Sequence, residues 1–141
     1  QVEDVTQIRL EDPKVDYDGD GDVNEGIKGE IDTLTEILYQ AIRAYGKEVA
    51  GTPIAYSPTA YPYFFVDTNE DGVASPDEAI FPNRYVSWTP RLLQAAYNYQ
   101  YAKKDPGGYV HNGKYILQVL YDSIVDLSSK VQVNTANLKR P

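Results

Sequence analysis

Residues 67–78 read DTNEDGVASPDE, and residues 16–22 read DYDGDGD. Both segments set short oxygen-bearing side chains at alternate positions with a glycine close behind. Like charges at that spacing repel one another in water, and a hard divalent cation removes the conflict. Calcium takes six to eight oxygen ligands, and a chain that turns sharply at glycine can wrap one ion from every second residue. In the longer segment Asp67, Asn69 and Asp71 occupy loop positions 1, 3 and 5, Gly72 position 6 and Glu78 position 12. That fills every place in the D-x-[DN]-x-[DN]-G-x5-E pattern. Val73 would add its backbone carbonyl, and Glu78 would close the shell with two oxygens. Ser75 stands three residues before Glu78, the spacing of a helix capping box, so a solvated turn beside an ordinary cap is the competing explanation.

The earlier segment starts equally well, with Asp16, Asp18, Asp20 and Gly21, and with Asp22 at the backbone-ligand position. Its position 12 is Ile27, which offers no carboxylate. Glu30 is the first choice to complete that shell and Glu25 the second, and either requires an enlarged loop; the bland alternative is an acidic turn that stays hydrated. Two calcium ions are therefore expected. The loops are expected to pair back to back, residues 22–24 against 73–75, so that calcium staples a small fold.

The elements that must hold these loops follow from period and punctuation. Ile31, Leu34, Ile37, Leu38, Ala41, Ile42 and Tyr45 share one helical face from Glu30 onward, with Gly46 as the expected stop. GTPIAYSPTAYP at 51–62 carries three prolines and reads as an extended surface connector. Ser75 with Pro76 opens a short helix that Pro82 ends, and Thr89 with Pro90 opens a longer one with Leu92, Leu93, Ala96 and Tyr99 inward and Lys103 and Lys104 at its end. A last helix over 114–128 faces Ile116, Leu117, Leu120, Ile124 and Leu127 inward, and Val131 and Val133 alternate as in a short strand. The expected fold is mainly α: a small helical domain (16–130) on a pair of calcium loops joined by a short β contact, with an extended N-terminal arm (1–15) and a C-terminal tail (131–141). Thirteen tyrosines, three of them in YNYQY at 97–101, exceed what one helical face can bury, so some rings must point outward or into a partner.

Composition bounds the function. Residues 1–36 hold 12 Asp and Glu against 3 Lys and Arg, a net of −9, so the whole of the chain's −8 is local and the rest carries about +1. That pattern suits cations and argues against nucleic acid, which needs clustered basic residues. The chain has no cysteine and a single histidine, His111, and no apolar run long enough to span a bilayer. It also lacks methionine and begins at Gln1, as expected of a processed, exported protein.

The loops resemble those of the EF-hand superfamily, although Pro13 and Pro62 stand where entering helices would be, which leans toward loop–helix variants such as dockerins. GDGDVNEGIKGEID, YPYFFVDTNEDG and the long string NRYVSWTPRLLQAAYNYQYAKKDPGGYVHNGKYILQVLYDSIVDL at 83–127 resemble the C-terminal region of exported bacterial polyhaem c-type cytochromes. Those proteins carry haem on Cys-x-x-Cys-His, which is absent here. The resemblance implies a domain cut from such a protein or a relative that kept the scaffold without the redox centres; His111 is then a candidate axial ligand to a haem held elsewhere.

No nucleophile, acid–base pair or phosphate loop stands out, so an enzyme is not expected. The leading expectation is a secreted or cell-surface bacterial calcium-binding structural module with a protein partner or self-association. One alternative is a filament subunit that donates residues 1–12 as a strand to its neighbour. Another is an accessory domain of a multihaem electron-transfer protein, with a haem-bearing partner.

Overall fold

The computed structural model describes residues 26–104 and 113–133. The N-terminal arm, the loop of Asp16, Asp18, Asp20 and Asp22, Glu25, His111 and the tail from 134 onward lie outside the described residues. So does one side of the expected contact between 22–24 and 73–75.

Three helices and a two-stranded sheet make up the described fold, which is mainly α. Helix α1, Ile27–Glu48, buries Ile27, Ile31, Leu34, Leu38, Ala41, Ile42 and Tyr45. The three-and-four spacing of these residues gives one apolar stripe, which is what drives a helix of this length onto a core. The helix runs two residues past Gly46, the expected stop. A Cβ on Gly46 would lie 2.8 Å from Ile54 Cγ2 and 3.1 Å from the Thr52 carbonyl oxygen, so glycine is there to let the returning chain pass close. The helix ends where Val49 and Ala50 N–H both turn onto the Tyr45 carbonyl, followed by Gly51 at φ 85°. A left-handed glycine just past the last turn is the usual terminator.

The segment read as a surface connector instead holds a buried strand. Strand β1, Ile54–Tyr56, pairs antiparallel with β2, Phe64–Val66, in the register Ile54 to Val66, Ala55 to Phe65 and Tyr56 to Phe64. All three residues of β1 are buried. Pro53, Pro58 and Pro62 flank the strand rather than interrupt it, so no ladder hydrogen bond is lost. The connection includes a cis Tyr61–Pro62 bond and Tyr63 at φ 77°. On the other side of β2, Tyr85 N–H donates to the Phe64 carbonyl at 2.9 Å.

Helix α2, Pro90–Lys104, begins as expected: Thr89 Oγ1 accepts the Leu92 N–H at 3.2 Å. Leu92, Ala95, Ala96 and Tyr99 are buried, whereas Leu93, expected inward, is exposed. Each residue turns the helix by about 100°, which carries Leu93 off the stripe of Leu92, Ala95, Ala96 and Tyr99. The tyrosine run splits in the same way, with Tyr99 in the core and Tyr97 in solvent. Helix α3, Gly113–Ser128, buries all five expected residues at 1% exposure or less. It runs antiparallel to α2, tied by Arg91 to Asp126 at 3.1 Å at one level and by Asn98 to Ser123 Oγ at 2.9 Å further along. Both helices pack on α1. Val131 is buried against the core and Val133 packs beside it, but no strand forms there.

Tyr39, Tyr99, Tyr56, Phe64, Trp88 and Tyr85 form a chain of ring contacts from α1 through α2 and the sheet to the segment before α2, with successive centroids 5.0–5.6 Å apart. Tilted and offset rings at these distances add to the burial energy of a small core.

Candidate metal centre

Asp67 follows directly on β2, and its N–H donates to the Pro53 carbonyl at 3.1 Å, so the sheet fixes the first loop residue. From there the chain turns through Glu70 at φ 58° and Gly72 at φ 79°. Gly72 N–H donates to Asp67 Oδ2 at 2.8 Å, and Val73 N–H donates to Asp71 Oδ1 at 2.9 Å. Asn69 and Asp71 bond to one another across the turn, through Asn69 Nδ2 to Asp71 Oδ2 at 3.2 Å and Asp71 N–H to Asn69 Oδ1 at 3.4 Å. Val73 itself is exposed, and its carbonyl accepts the Ser75 N–H at 3.1 Å, leaving one of its two lone pairs open.

Asp67, Asp71 and Glu78 each place one carboxylate oxygen within 4.8 Å of the others. Asp67 is 1% exposed, and its Oδ1 has no hydrogen-bond partner among the described residues. Burial pushes the Asp67 pKa above its ordinary value; the Gly72 N–H works against the rise, and the charges of Glu78 and Asp71 add to it. A buried carboxylate oxygen without a donor is costly, and a hard cation is the partner whose chemistry removes that cost. The oxygen-only donor set of Asp67, Asn69, Asp71, the Val73 carbonyl and Glu78 fits calcium in kind.

Glu78 is differently placed. Oε2 accepts the Thr68 N–H at 2.6 Å and the Thr68 hydroxyl at 2.7 Å, and Oε1 accepts the Ser75 N–H and hydroxyl, both at 3.1 Å. Burial works to raise its pKa, but these four hydrogen bonds outweigh it and hold the carboxyl down at about 2. The capping bond from Ser75 is therefore present, yet the helix expected from Pro76 is only a single turn followed by a 3-10 turn at Phe81–Asn83. Glu78 latches the two ends of the loop together as well as facing the cluster.

Other contributors come from far away in the chain. Tyr39 hydroxyl donates to the Gly72 carbonyl at 2.8 Å and accepts the Tyr56 N–H at 3.0 Å. Arg43 lays its guanidinium against Gly72: a Cβ there would be 2.7 Å from Cζ and 2.8 Å from Nη1. Lys47 pairs with Glu70 at 2.6 Å. Asn83 Nδ2 bridges the Val66 and Glu78 carbonyls at 3.0 and 2.9 Å. Sequence reasoning missed all of these, as it did Thr68. Tyr39, Arg43 and Lys47 recur every four residues on α1, and that stripe is the one signal that could have found them. Glu30 is fully buried in the first turn of α1, and the loop it was expected to close lies outside the described residues.

These elements define a small, mainly helical module with an acidic loop built on the end of a two-stranded sheet. No family model matches the chain, and no solved structure matches it. It is similar to the C-type polyheme cytochrome OmcC of Geobacter sulfurreducens, 33% identical over 108 residues that make up 71% of this chain and 13% of that protein. The C-type polyheme cytochrome OmcB of two strains of the same organism is 34% identical over 101 residues, 65% of this chain and 13% of each relative. The match thus spans about one eighth of the length of these relatives. It supports the resemblance to polyhaem cytochromes read from the sequence, and this chain has no cysteine on which a haem could be attached in their manner. No described helix is long and apolar enough to cross a membrane.

Proposed function

We propose that this chain is a non-catalytic, haem-free accessory domain of a multihaem electron-transfer protein, held in shape by calcium in the loop of residues 67–78. The observation that carries the first part is the similarity to OmcC and OmcB over most of a chain that has no cysteine. The buried, donorless Asp67 Oδ1 inside a carboxylate cluster supports the second. Asp67, Asn69, Asp71, the Val73 carbonyl and one oxygen of Glu78 are the residues that would hold the ion. When bound, calcium supplies charge neutralisation and nothing redox. Asp67 then loses its desolvation cost, and the loop joins β2 rigidly to the turn before α2. An extracellular or cell-surface location fits, since extracellular calcium modules work at 10⁻⁴–10⁻³ M.

Two measurements test this. Native mass spectrometry in calcium and after chelation counts the ions: at least one per chain is expected, and none overturns the calcium reading. For the accessory role, this chain is spliced into OmcC in place of its matching segment. A chimera with undiminished haem absorbance is expected; failure to accumulate, when the isolated chain is folded, overturns it.

A further inference from the structure

Arg43 is an unexpected neighbour for a cation site. Its guanidinium covers position 6 of the loop, where only glycine leaves room for it. Its donors go to neutral acceptors, Gln40 Oε1 at 3.0 Å and the Glu70 carbonyl at 3.3 Å. No carboxylate forms an ion pair with it among the described residues, so its charge, although partly solvated, is left to act on the loop and is one of the influences that lower the Asp67 pKa. Lys47, one turn on, is paired with Glu70 and mostly exposed, which leaves it a weaker influence. Gln40, Arg43 and Lys47 face Asp67 and Glu70 across an open cleft of about 230 Å³.

We infer that Arg43 is a resident counter-charge that keeps the acidic loop folded and, by the same charge, holds down its affinity for calcium. The inference rests on the calcium reading above. A positive charge beside the carboxylates relieves their mutual repulsion without the ion and repels the ion when it arrives. One unit charge roughly 6–8 Å from a divalent ion, in a water-like dielectric, shifts affinity roughly five- to tenfold. Calcium would then bind in the weak range suited to extracellular concentrations, and its binding would add less to an already ordered loop.

The test is calcium titration calorimetry on the wild-type chain, Arg43→Gln and Arg43→Lys, each at low and high salt, with melting curves in chelator to establish that each is folded. Arg43→Gln is expected to bind calcium roughly five- to tenfold more tightly at low salt, with the ratio shrinking as salt screens the charge. It should also melt lower in chelator and gain more from calcium than wild type. Arg43→Lys, which keeps the charge, should stay near wild type. Equal or weaker binding by a folded Arg43→Gln overturns the inference and makes Arg43 a brace. Wild type that binds no calcium overturns the parent reading as well, which separates the two failures.

Discussion

Glu78→Gln, measured in chelator, tests the hydrogen-bond latch on its own. The glutamate accepts four hydrogen bonds, two on each oxygen, from Thr68 and Ser75. Glutamine keeps one acceptor and turns the other into an NH₂ group. The hydroxyls of Thr68 or Ser75 can rotate to accept from it, but one backbone N–H must face a donor. An orphaned buried N–H costs about 1–3 kcal/mol, and the remaining bonds lose their charge assistance. Proton linkage gives a similar figure. The carboxyl falls from 4.5 to about 2 on folding, and at about 1.4 kcal/mol per unit that is roughly 3 kcal/mol. A depressed carboxylate pKa stabilises the fold above the unfolded value and loses that contribution as pH falls through the folded one, so the window is pH 4.5 to 2. In chelator at pH 7 the variant should unfold about 2–3 kcal/mol more easily in urea, a melting shift of roughly 10 °C. Below pH 4.5 the gap to wild type should close. Equal stability at pH 7, or a gap that persists unchanged at pH 2, would refute the latch.

Two further substitutions have defined signs. Asp67→Asn can keep the bond from Gly72 while removing a buried charge that folding disfavours, so in chelator it should be at least as stable as wild type. If the loop binds calcium as proposed, the variant should also lose the calcium-induced rise in melting temperature, which in wild type at a hundredfold excess over Kd would amount to about 2.7 kcal/mol. Gly46→Ala should destabilise by about 1–3 kcal/mol in chemical denaturation, even though alanine favours helix, because its Cβ meets Ile54 and the Thr52 carbonyl. Stabilisation there would mean the crossing has slack.

What the sequence made legible was local. The stripes of α1 and α3 declare themselves by period, and Thr89 with Pro90 announces α2, because spacing and capping act within one or two turns. The loop of Asp67, Asn69, Asp71, Gly72 and Glu78 was visible for the same reason. Its supports were not. Gly46 looked like a helix stop because glycine is judged by local propensity, and only the passage of Ile54 explains it. The prolines of 51–62 hid β1, since they lie outside a three-residue strand whose pairing with β2 is a tertiary fact. The exit helix failed because Glu78 satisfies Thr68 as well as Ser75, tying the turn backward instead of letting it run on. Leu93 and Tyr97 were left to solvent because α2 has a single face on the core.

The Tyr39 hydroxyl stands between two backbones, giving its proton to Gly72 in the loop and taking one from Tyr56 in β1, while its ring stacks on Tyr99. One phenol is thus a shared hinge pin. Loop and strand cannot drift apart without breaking one of its two hydrogen bonds, and the same side chain is packed into the aromatic core. A site at the rim of the molecule is in this way mechanically continuous with its centre, through an oxygen atom that neither the loop nor the sheet supplies.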